Sequence, residues 1–166
     1  MIKTPHGWGK MLYVIIAFII VGLFAANNAW GFEKPQVKLG LGQTFANSNL
    51  MQGEASIDWY DWEAGLQLME AGQTIKGDQD QLFIVFLTKS IRPDWCFVGC
   101  YYQKIGLSYV PNSNLVGDLN YRLGVGVSFN VFELEYVHYS SAGIQPINSG
   151  VDGWIIALKI PIGNKY

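Results

Sequence analysis

Between Leu119 and Phe129 apolar and polar residues alternate without a break. Leu119, Tyr121, Leu123, Val125, Val127 and Phe129 stand against Asn120, Arg122, Gly124, Gly126 and Ser128. Successive side chains of a strand point to opposite faces, so this segment is a β-strand with one greasy face and one polar or small face. The same period recurs in Val37, Leu39 and Leu41, in Trp62, Ala64, Leu66 and Leu68, and in Ile105, Leu107 and Tyr109. A chain built from such segments folds as a sandwich or a barrel. In a soluble sandwich the greasy faces form the core, whereas in a membrane barrel they face lipid and the polar faces line a narrow lumen.

The start of the chain favours the membrane. Lys3 and Lys10 are basic, Met11 to Ala25 are apolar, and small residues follow at Ala26 and Ala29. This is the pattern of a secretory signal, with cleavage expected after Ala29, a signal segment over 1–29 and a barrel domain over 30–166. Fifteen apolar residues are short for a membrane helix, which needs about 20. Charged residues make up 14 % of the chain, against a globular norm of about 25 %. Beyond residue 31 no apolar run is long enough for a helical span, so the apolar content belongs in strands.

Eight strands are expected, over Gln36–Phe45, Glu54–Tyr60, Trp62–Ala71, Gln81–Ser90, Tyr101–Val110, Leu119–Phe129, Phe132–Ser140 and Asp152–Ile162. The fold class is therefore all-β, an eight-stranded antiparallel up-and-down transmembrane barrel. An even count puts both chain ends on the periplasmic side and sends the connections near 46–53, 72–80, 111–118 and 141–151 outward. Asn130 and Val131 fit a tight periplasmic turn. The stretch from Ile91 to Cys100 is long for a periplasmic connection. It carries Cys96 and Cys100, which in an oxidising compartment are candidates for a local disulfide.

A formal charge of −2 with scattered Lys and Arg offers no field for nucleic acid. Two Cys, with His6 in the signal and His138 remote, do not make the ligand set of a structural zinc, so no metal is expected.

One segment concentrates acyl-transfer chemistry. A serine hydroxyl needs a neighbouring imidazole to take its proton, and the imidazole needs a carboxylate to fix its tautomer. His138 and Ser140 lie two apart on one strand and share a face. Asp152 opens the next, antiparallel strand and falls at the same level. Phe132, Leu134, Tyr136, His138 and Ser140 share a parity, as do Asp152, Trp154, Ile156, Leu158 and Ile160, so the polar trio breaks a greasy row. Polar groups in a lipid-facing row are costly and mark function. Glu133 and Glu135 have the opposite parity. They are expected in the lumen, paired with Arg122 and Lys159, because buried charges need partners.

His138-Tyr-Ser-Ser-Ala-Gly-Ile-Gln-Pro-Ile-Asn-Ser-Gly-Val-Asp152 resembles the H-x-S-N-A-G motif, followed by P-N-x-G and an acidic residue, of the lipid A 3-O-deacylases. These are outer-membrane barrels that hydrolyse the ester-linked acyl chain at position 3 of lipid A. The resemblance covers roughly a quarter of the chain, Leu119 to Ile162. It implies Ser140 as nucleophile, His138 as base and Asp152 as acidic partner. Asn148, or backbone N–H groups around Ala142 and Gly143, would help the oxyanion. Ser141 stands where the family has Asn, and Asp152 where it has Glu. The implied activity uses neither calcium nor another cofactor, acts on lipopolysaccharide in the bacterial outer membrane, and leaves a homodimer open. The competing readings are a non-catalytic outer-membrane barrel with a structural or adhesion role, and a secreted binder whose apolar faces line a cavity.

Overall fold

The computed structural model describes residues 35–92, 96 and 99–162. The expected signal segment over 1–29 lies outside the described residues. The strands are β1 (Gln36–Ala46), β2 (Met51–Trp59), β3 (Trp62–Met69), β4 (Gly72–Thr74), β5 (Gly77–Gln79), β6 (Leu82–Ile91), β7 (Cys100–Tyr109), β8 (Leu119–Ser128), β9 (Phe132–Ser140) and β10 (Val151–Pro161). Eight of them close a barrel in the order β1-β10-β9-β8-β7-β6-β3-β2, every neighbouring pair antiparallel. Closure pairs Gln36 with Pro161, so both described chain ends lie at one rim and the longer connections at the other, here called the outer rim.

The barrel strands begin and end within two residues of expectation except at the start of β2, and one connection differs in kind. β2 starts at Met51 rather than Glu54, because Met51, Gln52 and Gly53 continue the ladder opposite Gln43, Gly42 and Leu41. The connection after β3 is not a plain turn. β4 and β5 pair as a separate hairpin beyond the barrel, with Gly77 at φ 106° in its turn.

The barrel is inside out relative to a soluble fold. Leu41 is 68 % exposed and Leu119 54 %, and Leu39, Ile57, Leu66, Ile105, Leu123, Leu134, Ile156 and Leu158 are exposed with them, while Lys38, Glu63, Gln67, Lys104, Arg122 and Glu133 are buried. Within the lumen Lys38 Nζ lies 2.8 Å from Glu63 and 3.1 Å from Glu133, and Lys104 Nζ lies 2.6 Å from Glu63 and also contacts Glu135. Arg122 bridges Glu54 at 2.9 Å and Glu135 at 3.0 Å. Arg122 thus pairs with Glu135 as expected, but Lys159 does not join Glu133 or Glu135. It donates to Ser128 Oγ at 2.7 Å, and Lys38 and Lys104, from β1 and β7, serve Glu133 instead. Partners across a lumen come from strands that sequence neighbourhood does not connect. Gly124 makes room for this network, since a Cβ there would stand 2.6 Å from Glu135 Oε1.

Towards the outer rim the lumen turns apolar. Leu50, Met69, Leu82, Val110, Leu115, Val116 and Val151 form a buried cluster with Tyr139 and Ile155 that closes the interior beneath the loops. At the opposite rim Cys96 and Cys100 are joined by a disulfide at the start of β7. Among the described residues no helix is long and apolar enough to cross a membrane.

Candidate active site

β9 and β10 run antiparallel with His138 directly opposite Asp152. The strand period carries His138 and Ser140 to the outer wall, half-buried, while Val137 and Tyr139 between them point into the lumen. His138 Nδ1 lies 2.7 Å from Asp152 Oδ1. A carboxylate at Nδ1 holds the proton there and leaves Nε2 with its lone pair, the form a general base needs. The same Asp152 Oδ1 accepts a hydrogen bond from the Tyr136 hydroxyl, one outward position below His138. In the sequence Tyr136 reads as one more aromatic of a greasy row.

Ser140 Oγ donates to Asn148 Oδ1 at 3.0 Å, not to His138, and accepts from the Ala142 N–H at 3.1 Å. Asn148 Oδ1 also accepts the Ser141 N–H at 2.8 Å. The structure thus brings Ser140, Asn148 and the 141–143 backbone together, with His138 and Asp152 as a second unit on the same face. The Ser141 side chain is buried, away from that face, its Oγ 3.4 Å from the Ile147 carbonyl, so its part is to hold the loop.

The loop is wound tightly after the strand. Ala142 and Gly143 both have positive φ, 51° and 78°, a left-handed pair that an alanine adopts only at a cost of about 1–2 kcal/mol. Gly150, at φ 73°, ends the loop against the imidazole, where a Cβ would stand 3.3 Å from His138 Cε1. Asn47 fixes this end by donating to the carbonyls of Ser149 at 2.5 Å and Gly150 at 3.0 Å.

The surroundings are apolar. Leu123 pairs with His138, Tyr121 with Ser140, and Trp154 with Tyr136 in the ladders. The β1–β10 register shifts between Thr44 and Ala46, which makes Phe45 the extra residue of a bulge, and its ring lies 6.0 Å from that of Tyr136. Bulges beside functional sites re-aim side chains in this way.

No protein-family model matches the chain. Over 148 residues, 83 % of this chain and 84 % of the other, it is 28 % identical to lipid A deacylase PagL of Pseudomonas aeruginosa. The crystal structure of the outer membrane enzyme PagL superposes with a TM-score of 0.58 at 22 % identity, covering 76 % of this chain and 99 % of that one. The eight-stranded barrel, its apolar outer wall and this match in sequence agree: the chain is an outer-membrane β-barrel similar in sequence and fold to lipid A deacylase PagL.

Proposed function

We propose that the chain is a serine esterase that removes the ester-linked 3-hydroxyacyl chain of lipid A at the lipid-facing surface of its barrel. The observation that carries this reading is the 2.7 Å contact between His138 Nδ1 and Asp152, on the outer wall, one strand period from a serine hydroxyl. Nothing about stability calls for a His–Asp pair in a greasy row.

In this mechanism rotation about χ1 turns Ser140 Oγ from Asn148 towards His138 Nε2. The hydroxyl oxygen forms a bond to the ester carbonyl carbon as its proton passes to Nε2, and Asp152 stabilises the imidazolium. The carbonyl oxygen becomes an oxyanion, met by the Ala142 and Gly143 N–H groups and the Asn148 amide, whose Oδ1 is already committed and whose Nδ2 is left to donate. Collapse breaks the bond to the sugar oxygen, which takes the proton from His138. Water then repeats the sequence on the acyl-enzyme and releases a 3-hydroxy fatty acid. No step calls on a metal or cofactor.

Aspartate is one methylene shorter than glutamate, and the direct pairing of Asp152 with His138 supports its fitness for the role. The test is Ser140→Ala, with folding checked by heat-modifiable electrophoretic mobility. Fatty-acid release from lipid A should fall by at least about a thousandfold while the barrel stays folded. Undiminished release refutes the mechanism, and absence of release by the unaltered protein favours the non-catalytic barrel.

A further inference from the structure

Above the site, the 141–150 loop, with Lys76 of the β4–β5 hairpin and Asn114 of the 110–118 connection, borders a half-open cavity of about 600 Å³, within the range of small-molecule sites. Its lining includes Lys76, Asn114, Gly143, Gln145, Asn148 and Ser149. Gly143 and Asn148 also belong to the loop around Ser140, so cavity and nucleophile share a wall. The lining carries three side-chain amides, one hydroxyl and one ammonium beside Pro146 and Ile147, whereas the barrel wall below is apolar.

The cavity is built rather than incidental. Asn114 Nδ2 donates to the Asp78 carbonyl at 2.9 Å and the Asn114 N–H donates to Gln79 Oε1 at 2.6 Å, tying the hairpin to the 110–118 connection. The Ser149 N–H donates to the Leu115 carbonyl at 2.7 Å, tying that connection to the catalytic loop. Gln145 lies so close over Gly117 that a Cβ there would stand 1.3 Å from Oε1. Lys76 projects from the hairpin turn, exposed, and among the described residues its ammonium has no ion-pair partner.

An ester cleaved at Ser140 has two arms. The acyl arm is hydrocarbon and follows the greasy wall towards the membrane. The alcohol arm is a sugar, and the polar surface that begins at Asn148 and Gly143 is this cavity. We infer that the cavity is a headgroup subsite for the acylated glucosamine, and that Lys76 pairs with a phosphate on that sugar. A lysine serves such a group as a point charge, setting orientation and affinity without touching the reacting bond. The inference rests on the esterase reading.

Two lipids test it, a 3-O-acylated glucosamine 1-phosphate and the same lipid without phosphate, both in detergent micelles. The unaltered protein should show a KM roughly three- to tenfold lower for the phosphorylated lipid, Lys76→Gln should bring the ratio to about one, and Lys76→Arg should retain it. A ratio of one in the unaltered protein, or one that survives Lys76→Gln, overturns the inference. Hydrolysis of neither lipid defeats the esterase reading instead, and binding of both lipids to Ser140→Ala then decides the subsite. There, a preference for phosphate lost in Ser140→Ala/Lys76→Gln supports it, and equal binding overturns it. Inorganic phosphate that binds the lipid-free protein as tightly as the phosphorylated lipid does overturns the headgroup assignment in favour of a free-anion site.

Discussion

In the proposed mechanism Asp152 takes the part that a longer carboxylate has in the family its segment resembles, and the structure gives it a second partner. Its Oδ1 is shared between His138 Nδ1 and the Tyr136 hydroxyl, so the phenol fixes the carboxylate from below while the imidazole takes it from the side. Tyr136→Phe should lower kcat about three- to tenfold with little change in KM, the worth of one hydrogen bond to a charged group at an exposed site. In an Asp152→Glu background the same change should cost less than about twofold, because a longer carboxylate reaches His138 without being held. Equal losses in the two backgrounds would show that Tyr136 acts by packing alone. Asn148 is the second hinge of the site, since one side-chain oxygen orients both Ser140 and the Ser141 N–H. Asn148→Ala should lower kcat about ten- to a hundredfold, measured at saturating lipid, and an unchanged kcat would remove Asn148 from the oxyanion role. That His138, Ser140 and Asp152 share one face and one level was legible from strand parity and the antiparallel return of the next strand. Tyr136 was not, because a tyrosine hydroxyl becomes a partner only once the neighbouring strand is in register.

At the scale of elements, parity reads inward and outward faces well and says nothing about who meets whom across the lumen. Glu133 and Glu135 point inward as their parity demands. Their cations, however, are Lys38 and Lys104 from β1 and β7 together with Arg122, and the expected Lys159 sits lower, on Ser128. Lys104 is the joint of this network, touching Glu63, Glu133 and Glu135 together. Lys104→Met keeps the volume and removes the charge, leaving buried carboxylates with fewer partners. It should destabilise the barrel by about 3–5 kcal/mol, read from urea unfolding in lipid vesicles. A loss below about 1 kcal/mol would mean that the network carries little stability. The β4–β5 hairpin was illegible for a related reason. Its two three-residue strands have no greasy face, and they are held by polar contacts: the buried Gln79 side chain and Asn114 on one side, and the Ile75 N–H to the Asn47 carbonyl on the other.

The whole molecule turns on which side of its wall is wet. Leu41, Ile156 and Leu134 stand in an exposed row on β1, β10 and β9, with Gly40, Ala157 and Glu133 on the lumen side of the same strands. Eight strands leave a lumen that side chains fill, so among the described residues nothing covers the apolar wall, and hydrocarbon is the cover its chemistry calls for. In a secreted binder apolar side chains would line an interior cavity, whereas here the interior holds Lys38, Glu63, Lys104 and Arg122. The two arrangements respond oppositely to a charge placed on the outer wall. Leu41→Arg on a soluble barrel would be nearly neutral, because it adds a solvated side chain at the surface. On a membrane barrel it moves a guanidinium towards the bilayer midplane and should cost about 2–4 kcal/mol of folding free energy in vesicles, while Leu41→Ala costs less. The comparison of the two variants isolates charge from lost area, and a Leu41→Arg protein as stable in vesicles as Leu41→Ala would mean that the greasy row never meets lipid.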